Sequence, residues 1–204
     1  MNRIHRILLA GALAAAIAVP VAAQQQQFSD NSTMLKAVRE RDGATVERLL
    51  SDPSSSAANA RDPSTGEGPL HIVVRRRDID WLAFLLGNGA RPDMQSSDGT
   101  APLHLAASIG WVEGAQQLLA RRANVNIANN RGETPLILAV QGRQIDLIPL
   151  LLQQGANPTH TDSVAGYSAL DYARQDRRDP TIARLLEAAP TRQPSQQQVY
   201  GPTR

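Results

Sequence analysis

Between Ala101 and Asn126 the apolar positions fall in two short sets. Leu103, Ala106 and Ala107 form the first, and Val112, Ala115, Leu118 and Leu119 form the second, each at the spacing of a helix face. The pattern predicts two short helices joined by a turn and closed by an Ala-Asn segment at Ala123-Asn124. It recurs from Gly68 and from Thr134, and a repeated leucine stands at Leu70, Leu103, Leu136 and Leu170, at spacings of 33, 33 and 34 residues. A period of this size marks a solenoid, because a two-helix unit leaves a face uncovered until the next unit stacks on it. Pro69, Pro102 and Pro135 open the first helix of three units, where a missing N–H costs nothing, and the residue before each is a candidate N-cap.

The three central copies, GPLHIVVRRRDIDWLAFLLGNGARPD, APLHLAASIGWVEGAQQLLARRANVN and TPLILAVQGRQIDLIPLLLQQGANPT, resemble the ankyrin repeat. That family's pattern is TPLH, two antiparallel helices, and a GADVN-like turn into a β-hairpin loop. TMLKAVRERDGATVERLLSD resembles an N-terminal capping repeat, with Met34 at the place of Leu103 and Leu49-Leu50 at that of Leu118-Leu119. SALDYARQDRRDPTIARLLEAA resembles a C-terminal cap. The resemblance implies an all-α ankyrin-repeat solenoid over 33–189, built of five helix-turn-helix units with β-hairpin loops. The units run 33–66, 67–99, 100–132, 133–166 and 167–189.

Departures from the pattern carry their own expectations. In the family the Thr and His of TPLH bond to each other, but Gly68 and Ala101 replace the Thr where His71 and His104 are kept, and Ile137 replaces the His where Thr134 is kept. The helix starts are therefore expected to be weaker, by about 1 kcal/mol per lost cap. Ser168 and Asp171 are placed to form a capping box in the last copy. Pro149 falls inside an expected helix and should distort it. Trp81 and Gly114 stand 33 residues apart, so the indole is expected to fill the space the glycine leaves, as part of the core. Residues 51–68 make the first spacing three residues longer than the others and are expected as an extended loop.

Outside the repeats, residues 1–23 combine Arg3 and Arg6, an apolar stretch from Ile7 to Val19, and small residues at Val21 and Ala23. This is the pattern of a secretory signal peptide cleaved before Gln24; the uninterrupted apolar run is shorter than the ~20 residues of a spanning helix. Residues 24–32 are expected as a flexible segment, and the Pro/Gln-rich residues 190–204 as a disordered tail. The expected location is the periplasm or outside the cell, with no stable membrane insertion after cleavage. Removing residues 1–23 takes away two of 21 basic residues and none of 19 acidic ones, so the remainder is neutral. A neutral chain lacks the basic face that phosphate neutralisation needs, which argues against nucleic acid as a partner.

Catalytic and metal-binding motifs are missing from the sequence. Cysteine is absent, and no HExxH, GxSxG or phosphate-cradling glycine loop occurs. His71 and His104 occupy the same position one repeat apart, too far from each other to share a metal, and are expected to bond to backbone. An enzyme, a metal and a cofactor are not expected. The Asn31-Ser32-Thr33 sequon bears on function only in a glycosylating pathway.

What the family resemblance implies is protein binding through a concave surface of hairpin tips and first helices. Carried over by position, that surface comprises Gln95, Ser97, Asp98 and Thr100 on one finger and Ala128, Asn130, Arg131 and Glu133 on the next. Arg75, Arg76, Ser108, Ile109 and Gln141 on the first helices, and Tyr167 on the last finger, complete it. The expectation is a monomeric, exported, non-catalytic module for a protein partner of unknown identity. A secreted effector acting on a protein of another cell is the alternative.

Overall fold

The computed structural model describes residues 21–52, 55–176 and 180–188. Most of the expected signal peptide and the whole of the 190–204 tail lie outside them. Ten helices pair into five units: α1 (Val21–Glu40) with α2 (Gly43–Leu50), α3 (Pro69–Arg75) with α4 (Ile79–Gly87), α5 (Pro102–Ser108) with α6 (Val112–Ala120), α7 (Pro135–Gln141) with α8 (Ile148–Gln153), and α9 (Ala169–Gln175) with α10 (Thr181–Glu187). The first helices α1, α3, α5, α7 and α9 touch in succession, and each packs on its own second helix, giving a two-layer all-α solenoid.

The repeated apolar positions are what the layers bury. Met34, Leu103 and Leu136 are fully enclosed and Leu70 nearly so, and the small Ala106, Ala107 and Ala139 let neighbouring first helices approach closely. Leu82, Leu85, Leu118 and Leu151 fill the space between the layers. The proline at the start of α3, α5 and α7 occupies the first turn, as its missing N–H allows.

At the helix starts the histidines do more than the lost Thr–His bond suggests. His71 Nδ1 accepts the Gly68 N–H at 3.0 Å and His104 Nδ1 accepts the Ala101 N–H at 2.9 Å, so each N-cap donor is satisfied from inside the helix. Ser168 and Asp171 form the reciprocal capping box expected of them. The distortion at Pro149 takes the form of a late start. α4 and α6 begin at Ile79 and Val112, but the matching Ile145 lies in a turn and α8 begins only at Ile148, which moves Pro149 into a first turn where it removes no bond.

Four expectations are corrected. The ring that fills the space at Gly114 is Trp111, not Trp81: a Cβ added at Gly114 would overlap the Trp111 indole. Trp81 is half-buried at the flank of the core, edge-on to Phe84 at 6.2 Å, with the Arg76 guanidinium 5.8 Å from its ring centre. Residues 24–32 are helical as part of α1, in keeping with a run from Val21 to Glu40 that has no Gly or Pro and four glutamines of good helix propensity. The long first connection is not simply extended, because Ala57–Asn59 make a 3-10 turn whose Ala57 and Ala58, with Ala60, are buried. Finally, no strand occurs among the described residues. The connections expected as β-hairpins are tight turns too short for a ladder, with one isolated bridge between Thr161 and Ser168.

The edge made by the turns within each pair is tied from unit to unit. Arg41, Arg77 and Arg143 all adopt positive φ, between 54° and 60°, where Gly110 stands in the third unit at 65°. Arg41 reaches Asp78 at 2.8 Å, Arg77 donates to Ile109 O, and Arg143 pairs with Asp176, each in the following unit. Gly110 has no side chain to send; Gln144 reaches back instead to Ser108 O at 3.2 Å and occupies the space beside the glycine.

Candidate partner-binding surface

The opposite edge carries four fingers, residues 62–67, 96–100, 129–133 and 162–167. A backbone bond joins the two ends of each, from Asp62 N–H to Glu67 O, Ser96 to Thr100, Asn129 to Glu133 and Asp162 to Tyr167, at 2.9–3.0 Å. A short side-chain acceptor holds each turn. Asp62 accepts from Ser64 and Thr65 N–H, Asn129 from Arg131 and Glu133 N–H, Asp162 from Val164 and Ala165 N–H, and Asp98 takes the Thr100 N–H in the second finger. These are the turn roles for which Asp and Asn are suited.

Successive fingers are bonded to each other in one register. Ser97 N–H donates to Thr65 O at 2.8 Å, Asn130 to Asp98 O at 3.1 Å and Ser163 to Arg131 O at 2.8 Å. The approach is so close that a Cβ on Gly66, Gly99 or Gly132, all at positive φ, would come within 2.5–2.7 Å of the backbone nitrogen of the next finger. Histidines add cross-links: His71 Nε2 donates to Thr100 O at 2.9 Å and His104 Nε2 to Glu133 O at 3.0 Å, as the tautomer set by their Nδ1 acceptors requires. His160 donates to Gly132 O at 3.1 Å. Burial pushes the His71 and His104 imidazoles below their ordinary value, towards the neutral form that this bonding uses.

Besides these histidine bonds, two further contacts join fingers to first helices. Arg75 on α3 makes a two-bond ion pair with Glu67 at the base of the first finger, which holds the Glu67 carboxyl below the usual carboxylate range. Tyr172 on α9 donates its hydroxyl to Asp162 at 2.7 Å, and Tyr167 stacks edge-on against it at 5.5 Å. The bond to Asp162 raises Tyr172. Burial alone would raise Asp162, but that hydroxyl and the finger N–H groups hold it low.

The fourteen expected contact residues divide accordingly. Arg75, Ser97, Asp98, Ser108, Asn130, Arg131, Gln141 and Tyr167 are exposed. Six are engaged inside the fold. Glu133 is buried, its carboxylate accepting from Asn129 Nδ2 at 2.9 Å and lying 3.6 Å from Arg131. Gln95 is a strut whose amide donates to Gly99 O at 2.7 Å and Ala128 O at 2.9 Å, which also occupies the half-buried Ala128. Thr100 has its carbonyl taken by Ser96 and His71, and Ile109 packs partly against the core. Arg76 points away from the fingers and donates to Val38 O and Arg39 O at the end of α1. Gln95 and Asn130 also line an open cleft of about 440 Å³ with Arg61, Arg91, Asp93 and Met94.

Sequence reasoning missed a second set. Ile72, Leu105, Leu138 and Tyr172, two residues after the repeated leucine, are only half-buried and recur once in each of the last four units beside Arg75, Ser108 and Gln141. Their period was visible in the sequence, but an apolar residue on a helix reads as core until the face it occupies is known. Among the described residues no group of three His, Asp or Glu side chains is arranged to hold a metal ion. No described helix is long and apolar enough to cross a membrane.

A family model of ankyrin repeats, in three copies, matches residues 34–129 and again 70–162, together more than half of the chain. The chain belongs to the ankyrin-repeat family, whose repeats serve as protein-interaction modules.

Proposed function

We propose that this protein is an exported, non-catalytic module that holds a protein partner against its first helices and fingers. The observation that carries the reading is the recurring stripe of half-buried Ile72, Leu105, Leu138 and Tyr172, flanked by exposed Arg75, Ser108 and Gln141 and overlooked by exposed finger tips. An apolar centre with a polar rim is the usual anatomy of a protein interface. The backbone bonds between fingers keep that surface preformed, so little ordering entropy opposes binding. Tyr167 and Arg131 are the exposed residues of the types that dominate binding energy, and Arg75 serves less freely because Glu67 already holds it. The basic start and apolar stretch of residues 1–23 support export.

The test is cross-linking of the full chain in Gram-negative cells, with mass spectrometry of what co-purifies and of the mature N-terminus. One stoichiometric exported protein, lost on Arg131→Ala with Tyr167→Ala, is expected, with Gln24 as the first residue. Intact residues 1–23 on a soluble cytoplasmic product would sink the export reading. A captured partner indifferent to both substitutions would sink the surface.

A further inference from the structure

Every finger before the last gives the same group to its successor. Thr65 O, Asp98 O and Arg131 O, each just before the finger glycine, accept the N–H of Ser97, Asn130 and Ser163. The equivalent group in the fourth finger is Ala165 O, and among the described residues no backbone N–H reaches it. Gly166 repeats the positive φ of Gly66, Gly99 and Gly132. A Cβ on those three would run into the next finger, but on Gly166 it meets no described atom within 4 Å. Two of the three large apolar residues exposed among the described residues, Val164 at 67% and Tyr167 at 42%, stand on this same finger. An unpaired acceptor beside exposed apolar side chains is an edge at which a further segment can pair.

The other end of the row is closed. In the first finger, the residue at the place of Ser163 is Pro63, which has no N–H to give, and the next two N–H groups already go to Asp62. A second copy therefore cannot add its first finger to this edge through the bond that joins the others.

The chain itself carries a segment in register. From the buried leucine of each second helix to the following finger glycine, Leu85 to Gly99 and Leu118 to Gly132 span 14 residues, and Leu151 to Gly166 spans 15. Leu186, the buried leucine of α10, is followed by Gly201 after 15. Around that glycine, Gln198-Val199-Tyr200-Gly201-Pro202-Thr203 aligns with Ser163-Val164-Ala165-Gly166-Tyr167-Ser168, sharing the valine, the glycine and a hydroxyl residue at the end. Pro202 suits its place, because the group that closes the fourth finger there is a carbonyl, Tyr167 O.

We propose that residues 198–203 dock as a fifth finger on the open edge of the fourth. Gln198 N–H donates to Ala165 O, and Val199 and Tyr200 cover Val164 and Tyr167. The tether from α10 equals that of the preceding unit in length, so closing it costs no more chain entropy than the fold already meets there. The docked segment shields the exposed end of the finger row, Tyr167 included, so a partner that engages Tyr167 has to displace it.

Amide exchange and nuclear Overhauser contacts in the full chain test this, with Gly201→Val, Gly201→Asn and a truncation after Ala189 as comparisons. The expected result is exchange at Gln198 at least tenfold slower than in Gly201→Val, with contacts from Tyr200 to Val164 or Tyr167. Gly201→Asn, which tolerates positive φ, keeps the protection, and truncation shifts the Val164, Ala165 and Tyr167 signals. Unprotected exchange at Gln198, with those three signals unmoved by truncation, would overturn the proposal. So would an added partner protein that shifts Ala165 equally in the full and truncated chains, which gives the edge to that partner.

Discussion

The imidazole of His104 on α5 lies 3.0 Å through Nε2 from the carbonyl of Glu133 at the base of the third finger, while its Nδ1 takes the N–H of Ala101. His71 does the same between Gly68 and Thr100. A ring that both accepts and donates must be neutral, and protonation of Nδ1 would turn a bond into a repulsion between two donors.

Stability should therefore fall on mild acidification. Burial holds both folded-state histidines below their unfolded value, so the stabilising contribution is full above pH ~6.5. Below that pH the unfolded chain takes up protons that the folded chain refuses, and stability is lost down to the folded values. Asp62, Glu67, Asp98, Asp162 and Asp171, all held low, act only below their unfolded values of about 4. Urea midpoints at pH 7.5 and 5.2 should differ for the natural chain, and His104→Ile, which copies Ile137 of the next unit, should shrink the difference. A midpoint constant over that window contradicts the assignment. At pH 7.5 the same substitution should cost about 1–3 kcal/mol, since it leaves the Ala101 N–H unpaired and leaves Glu133 O with the Asn129 N–H as its remaining donor.

Replacing Gly99 by alanine measures the contact between fingers. Gly89 and Gly99 have nearly the same φ, +83° and +79°, so the backbone strain of an added Cβ is shared. At Gly89 the Cβ meets nothing within 4 Å, and at Gly99 it comes within 2.5 Å of the Asn130 nitrogen. Gly89→Ala should cost about 1–2 kcal/mol. Gly99→Ala should cost at least about 1 kcal/mol more, in line with the 1–3 kcal/mol of overpacking. Equal losses in urea titrations would mean that the fingers part without penalty.

The fold was legible because its signal is periodic. Leu70, Leu103 and Leu136 recur at the repeat length and are buried for one reason, and the prolines before them can occupy no other part of a helix. Legibility failed where two residues of one type compete for a place. Trp81 shares the register of Gly114, but Trp111 stands three residues before that glycine on the same helical turn and reaches it first. Arg75 and Arg76 are adjacent in sequence but point to opposite sides of α3, one to a finger and one to α1. Glu133 reads as surface by its charge, yet it is buried because Asn129 and Arg131 satisfy the carboxylate.

Arg122→Gly should stabilise the protein. Arg122, two residues past the end of α6, adopts φ 64°, in the place held by Gly89 and Gly155 in the neighbouring units. A glycine is the usual residue at that C-terminal position, where the chain turns left-handed. Relief of strain worth about 1–2 kcal/mol is offset by about 0.4–1 kcal/mol of extra freedom in the unfolded chain. The net gain should be a few tenths to about 1 kcal/mol, read as a higher urea midpoint. Arg143→Gly should gain less, because it also removes the Arg143–Asp176 pair.

Arg76 and Arg131 should separate folding from binding. The Arg76 guanidinium donates to two carbonyls at the end of α1, lies 3.4 Å from Asp78 and faces the Trp81 ring, so it pins the first unit to the second. Arg76→Ala leaves those carbonyls without their donor and should cost about 1–3 kcal/mol. Arg76→Lys should recover only part, since one ammonium cannot span the acceptors that a planar guanidinium reaches. Arg131 is 64% exposed and only 3.6 Å from Glu133, a surface pair worth at most about 1 kcal/mol, so Arg131→Ala should leave stability nearly unchanged. With the partner in hand, calorimetric titration of the two folded variants should show affinity lost in Arg131→Ala and kept in Arg76→Ala. The opposite pattern would place the partner against the junction of α1 and α3 instead of the fingers.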